Sequence, residues 1–317
     1  MLRHKPSMSR PGGFSILSVL IWLAASHAQA EVFPLPPKGI DIVGKIRVVQ
    51  ASHDDTLLDI ARRHGIGQDE IVAANPTVDR WLPGEGTAVV LPTRHILPDA
   101  PREGIVVNLP EMRLYYYPKP GPAETPTVIT HPVSVGRMDW ATPLGLARIV
   151  RKQKDPAWHP PASIRAEAEA AGSPLPKRVP PGPDNPLGQH ALRLNLPGYL
   201  IHGTNRPYGV GMRVTHGCMR MYPEDIESLF SRVEVNTPVR LVNQPVKAAI
   251  LADSLFIEVN APLDELPMTE AEAMAVAEKA IERAAGMGYP GLARQQAQAV
   301  IAEHSGTPEV ISRRVQP

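Results

Sequence analysis

The chain has 317 residues, with 33 Lys and Arg against 32 Asp and Glu, 43% hydrophobic residues and a single cysteine. That length allows more than one domain, the apolar share excludes disorder as the main state, and one Cys excludes a disulfide framework. The 36 prolines are roughly twice the average share of about 5%, so stiff irregular connections are expected and a mostly helical bundle is excluded.

Residues 1–30 read as an export signal. Arg3, Lys5 and Arg10 precede an apolar run from Phe14 to Ala25, and Ala28-Gln29-Ala30 supplies the small-x-small pattern of a cleavage site. The run is shorter than the roughly 20 residues of a spanning helix, so cleavage after Ala30 and an exported protein without stable membrane insertion are expected. Removing the signal leaves 30 basic against 32 acidic side chains, and without a basic excess no nucleic-acid partner is expected. In an exported protein the lone Cys218 is a reactive thiol, half of an intermolecular bridge, or a small buried residue.

Residues 31–45 are rich in Pro and Gly and are expected to form a tether. From 46 to 93 the pattern is βααβ. Ile46–Val49 is a strand, Asp55 is the expected N-cap of a helix carrying Leu57, Leu58, Ile60 and Ala61, and Gln68–Ala74 is a second helix that stops at Asn75-Pro76. A turn at Leu82–Gly86 leads into a second strand ending at Leu91.

Residues 103–243 are β-rich. Gly104–Leu109 and Met112–Tyr117 are expected to form a hairpin, the second strand sending Leu114 and Tyr116 to one face and Arg113, Tyr115 and Tyr117 to the other. Further strands are expected at 127–135, 146–151, 192–196, 199–202 and 239–242. Between them, residues 156–186 hold nine prolines and one helical stretch, Ile164–Ala171. Long loops in compact domains are commonly binding or lid segments, so this one is expected to cover a cleft. In residues 244–317, Leu255–Val259 is a strand, and Thr269 with Glu272 forms a capping box for a helix expected to dock on the β-rich domain. A further helix is expected from Leu292 to Glu303, followed by a frayed end. The fold class is therefore multi-domain and mainly β.

The reactive groups concentrate in Ile201-His202-Gly203-Thr204 and Thr215-His216-Gly217-Cys218-Met219-Arg220. A thiol with a pKa near 8.5 needs a base or a nearby positive charge to act as a nucleophile at neutral pH, and histidine supplies either. The glycines permit sharp turns, main-chain N–H groups beside the Cys can hold an oxyanion, and Arg220 offers a fork suited to a carboxylate. Pro223 opens a supporting helix with Glu224 and Asp225 at its positive end. The remaining histidines, among them His95, His131 and His159, read as structural. No compact His/Asp/Glu cluster has metal-ligand spacing, so neither metal nor cofactor is expected.

His-Gly-Thr followed by Thr-His-Gly-Cys-x-Arg resembles the signature of the L,D-transpeptidases, the YkuD-type family of peptidoglycan enzymes. The resemblance extends to Asn108–Leu114, Trp158–Pro161, Pro183–Gly188 and Met221–Asp225, and it spans roughly Gly39 to Leu266. Thr215 stands where the family motif has Ser. Asp55-Thr56-Leu57, Ala74-Asn75 and Leu82-Pro83-Gly84 resemble a LysM domain, which implies binding of peptidoglycan glycan. The resemblance implies Cys218 as nucleophile and His202 as proton donor and acceptor. His216, Gly217 and Arg220 would shape the acyl pocket, with Gly203, Thr204, Thr215 and Trp158 binding substrate. It implies a periplasmic enzyme that cleaves a tetrapeptide stem after its third residue, releases D-alanine and forms a thioester. The acceptor would be another stem, giving a 3→3 cross-link, or the C-terminal Lys of an outer-membrane lipoprotein. An L,D-carboxypeptidase giving the same acyl-enzyme to water, and a non-catalytic LysM wall-binding protein, are the alternatives.

Overall fold

Besides Met1, a computed structural model describes residues 31–285 and 294–313. The expected signal sequence, from its second residue to Ala30, lies outside the described residues. In chain order the N-terminal part runs β1 (Glu31–Pro34), β2 (Ile42–Gly44), β3 (Arg47–Gln50), α1 (Leu57–Arg63), α2 (Gln68–Ala73), β4 (Ala88–Leu91) and β5 (Arg94–Ile96). The central part carries β6 (Gly104–Asn108), β7 (Arg113–Tyr117), β8 (Thr127–Pro132), β9 (Val135–Gly136), β10 (Gly145–Lys154), α3 (Ala162–Ala170), β11 (His190–Leu194) and β12 (Leu200–His202). It continues through β13 (Arg213–Thr215), β14 (Met219–Arg220), α4 (Pro223–Arg232) and β15 (Pro238–Val242). The C-terminal part is β16 (Val246–Leu251), β17 (Ser254–Val259), α5 (Glu270–Ala285), α6 (Arg294–Glu303) and β18 (Glu309–Arg313). Among the described residues no helix is long and apolar enough to cross a membrane.

Nine strands form the main sheet, in the order β1-β8-β7-β6-β15-β10-β11-β12-β14. Alternation on β7 works as the sequence pattern requires: Leu114 and Tyr116 enter the main core with Ile105, Ile149 and Ile201, while Tyr115 and Tyr117 enter a second cluster with Val106 and Val128. The segment expected to be a tether is instead structured at both ends. β1 pairs along β8 from Glu31↔Thr130 to Pro34↔Thr127, and β2 pairs with β5. Pro34 is tolerated because β1 is an edge strand, where a missing N–H leaves no gap in the ladder.

The βααβ unit pairs β3 with β4 around a core of Leu57, Ile60, Ala61, Ile71 and Leu91. Thr56, not Asp55, is the N-cap of α1. Its hydroxyl accepts the Asp59 N–H while the Asp59 carboxylate accepts the Thr56 N–H, a reciprocal box. Asp55 is drawn aside by Arg63, which donates to both its oxygens and holds its carboxyl below the ordinary range. Asn75 ends α2 by bonding Ile71 and both main-chain groups of Val90.

The capping box at Thr269 and Glu272 forms as expected. The helix it opens, α5, packs on β16 and β17 with α6, building a core of its own from Leu255, Ile257, Ala277 and Ile301. It therefore covers a separate three-stranded sheet rather than docking on the large one. The third strand of that sheet is β18, and the final residues expected to fray, 314–317, lie outside the described residues.

The C-terminal sheet is bound to the rest through a buried cation. Lys247 Nζ donates to Glu111, Glu258 and the Ile96 carbonyl at 2.6–2.7 Å, and Glu258 also accepts the Ile96 N–H. Removing one member of a buried ion pair leaves an uncompensated charge, at a cost of about 3–5 kcal/mol. Lys247→Ala should lose stability on that scale in urea denaturation, whereas Arg283→Ala, whose partner Asp99 is half exposed, should lose less than about 1 kcal/mol. Equal losses would contradict this assignment of the anchor.

Candidate active site

Two short strands bring the reactive groups together. β12 and β14 run parallel with Ile201↔Met219 and His202↔Arg220 as partners, and the Met221 N–H donates to the His202 carbonyl at 2.9 Å. Ile201 and Met219 are fully buried in the main core. Successive strand residues point to opposite faces, so Leu200, His202, Cys218 and Arg220 face away from that core. All four line one cavity of about 580 Å³.

His202 is buried, and its Nδ1–H donates to the Gly203 carbonyl at 2.6 Å. A carbonyl can only accept, so the proton sits on Nδ1 and Nε2 carries the free lone pair. Burial first and the Arg220 charge second lower its pKa to about 4, so the ring is a neutral base at physiological pH. The Cys218 thiol lies 3.5 Å from the Gly198 carbonyl. Burial raises its pKa, opposed by the Leu200 N–H and by Arg220 and Arg193. The resting pair is neutral imidazole and neutral thiol, not a preformed ion pair.

Gly217 has φ +94°, and a Cβ there would press on the Tyr199 ring at 2.8 Å. Its carbonyl accepts from the Thr142 hydroxyl, and the Thr215 hydroxyl donates to the Cys218 carbonyl at 2.6 Å. These bonds fix the turn that presents the sulfur. Arg220 lines the cavity with Nε buried and without a hydrogen-bond partner among the described residues. The guanidinium as a whole faces the cavity, where it suits an anionic group.

The Pro-rich segment covers the cleft. Trp158 and Val179 exchange main-chain hydrogen bonds at its neck, and Asn185 Nδ2 donates to the carbonyls of Pro156 and Pro180. Within it α3 runs over the opening. Its Glu167 accepts from His216 Nε2 at 2.9 Å and from Arg137, and His216 stands edge-to-face on Trp140.

Of the expected site residues, Cys218, His202, His216, Arg220, Thr215 and Trp158 line the cavity; Gly217, Gly203 and Thr204 do not, and Gly217 acts through the turn it forms before Cys218. Gly203 sits against Ile226, and the Thr204 hydroxyl accepts the Arg206 N–H, so these two shape the wall from behind. Glu167, Trp140, Arg193 and Tyr199 also line the cavity and escaped the sequence reading. His159, read as structural, lines it too.

The pattern of the L,D-transpeptidase catalytic domain, YkuD, matches residues 102–241. The probable L,D-transpeptidase YbiS of Escherichia coli strain K12 is 45% identical over 242 residues, covering 75% of this chain and 78% of that protein. The chain belongs to the L,D-transpeptidase family. The probable L,D-transpeptidase YcfS of the same strain is 42% identical over 247 residues, covering 76% of each chain. ErfK/SrfK of Salmonella typhimurium is 42% identical over 246 residues, covering 76% of this chain and 78% of its own. The protein is an enzyme of the L,D-transpeptidase class, and the resemblance to the enterobacterial branch holds.

A base with a pKa of about 4 is neutral at every higher pH. kcat/KM of this L,D-transpeptidase for its acyl donor should therefore have its acid limb near pH 4 and none near 6.5. His202→Gln should lower it by roughly 10²–10⁴-fold. A bell with an acid limb near 6.5 would show that the ring titrates like a solvated histidine.

Proposed function

We propose that the protein acts in the periplasm, after cleavage behind Ala30, as a peptidoglycan L,D-transpeptidase with Cys218 as nucleophile. The observation that carries this reading is the shared cavity in which the neutral His202 and the thiol face two guanidinium groups, Arg193 and Arg220. His202 Nε2 takes the thiol proton as sulfur attacks the carbonyl of the third stem residue. Main-chain N–H groups beside Cys218 receive the oxyanion. Collapse breaks the peptide bond, the proton passes from His202 to the departing D-alanine amine, and a thioester remains. An acceptor amine then attacks, His202 removes its extra proton, and that proton returns to the sulfur when the amide forms and the thiolate leaves. The arginines suit the carboxylates of a stem peptide, since a guanidinium fork pairs with a carboxylate in a bidentate way.

The acceptor we favour is the C-terminal Lys of an outer-membrane lipoprotein, with another stem as the competing amine. The βααβ unit serves as a LysM module that holds the glycan strand; its Asp55-Thr56-Leu57 and Ala74-Asn75 segments carry that reading.

Mass spectrometry of products made from a disaccharide-tetrapeptide, with and without a lipoprotein C-terminal peptide, tests the reaction and the acceptor together. Free D-alanine and an amide-linked product are expected, and Cys218→Ala should reduce both by roughly 10³-fold or more. Activity surviving that substitution would remove the proposal, and tripeptide alone would mark a carboxypeptidase.

A further inference from the structure

The βααβ unit is joined to the catalytic loop too closely to be a tethered module. The first two N–H groups of α2, at Gln68 and Asp69, have no partner within the helix. They donate to the carbonyls of Val210 and Gly211, at 2.9 and 3.2 Å. Those carbonyls belong to the loop that runs through β13 into Thr215-His216-Gly217-Cys218. The backbones touch at Gly67 and Gly211. A Cβ on Gly67 would lie 2.9 Å from the Gly211 Cα, and one on Gly211 would strike Gly67 and the Gln68 amide.

The near side of this contact is anchored in the main sheet. Arg113, fully buried on β7, donates to Glu70 at 2.6 Å and to the Gly65 carbonyl. Glu70 in turn accepts the Gly67 N–H at 3.0 Å. Arg62 grips Glu224 at the start of α4 through two bonds of 2.8 and 2.9 Å, and the Tyr222 hydroxyl donates to the Ile66 carbonyl. The far side of the loop is held by Ser134 and β9, the Ser134 hydroxyl donating to the Gly209 carbonyl and the Val135 N–H to that of Met212. The loop before the nucleophile is thus clamped between β9 and α2.

We infer that the βααβ unit is a structural part of the catalytic centre, with Gly67 and the Gln68 N–H as positioning groups that hold the 209–217 loop. The inference rests on Cys218 being the nucleophile, but not on the unit binding glycan. Reactivity toward a donor without any sugar should therefore depend on this contact.

Gln68→Pro is the direct test. Gln68 is the first residue of α2, where proline is favoured, and Gly67 at φ −78° and ψ 160° suits a following proline, so the helix stays intact while the interface bond is lost and the proline Cδ presses on the Val210 carbonyl, 2.9 Å from the replaced N–H nitrogen. Gly67→Ala adds a methyl at an ordinary φ and serves as a second variant. Gly86→Ala, at φ +76° with open space around it, is a control for strain in the same unit away from the loop. In the full-length protein, both interface variants should speed hydrogen exchange at 209–217 by roughly tenfold. They should also slow acyl-enzyme formation on a free tetrapeptide by roughly 10- to 100-fold, with KM changed little. The control should do neither. Unchanged exchange at 209–217 in both variants overturns the inference, as does faster exchange with undiminished acylation. Wild-type protein that forms no acyl-enzyme would sink the proposed reaction, and the exchange result would then decide the inference alone.

Discussion

The catalytic arrangement depends on one parallel strand contact two residues long. Register is what makes it consequential. Ile201 and Met219 are anchored in the core, and a slip of one residue on either strand would turn its outward set inward. Leu200, His202, Cys218 and Arg220 face a common cavity because their neighbours cannot leave the hydrocarbon. Those neighbours are held by the same core that carries Leu229 of α4, so the helix after Cys218 supports the site from below.

Within this frame electrostatics sets how the pair works. Burial disfavours charge on both the imidazole and the thiol, and the guanidinium groups favour an anion on sulfur while disfavouring a cation on the ring. A neutral pair moves its proton only when an electrophile arrives, which protects the thiol from adventitious reaction. Arg220 lines the cavity, where its guanidinium favours an entering anion. At the C-terminal sheet, by contrast, the buried charge of Lys247 is met within the protein by Glu111 and Glu258.

Much of this was legible in the sequence because it depends on local pattern. The β7 alternation, the proline at the first turn of α4, the capping box of α5 and the cleft-covering Pro-rich segment follow from period, cap chemistry and composition. What was not legible is set by distant partners. Glu31–Pro34 reads as linker until β8 offers it an edge, and Glu309–Arg313 carries no strand signal of its own until β17 pairs with it. Asp55 and Thr56 are both good N-caps, and only the Arg63 contact decides between them. Glu167 is one acid in an exposed Ala/Glu helix; nothing local marks it as the partner of His216. The docking of α2 on the catalytic loop leaves a trace only in Gly67 and Gly211, two glycines among 24.

The central claim is that Cys218 rests as a neutral thiol and gives up its proton only to His202 during attack. The pH dependence of Cys218 alkylation by iodoacetamide, followed by intact-protein mass, tests it directly. The account predicts a rate that keeps climbing beyond the ordinary thiol range near 8.5, because burial raises the Cys218 pKa. A rate already level at neutral pH would mean a standing thiolate–imidazolium pair and would contradict it.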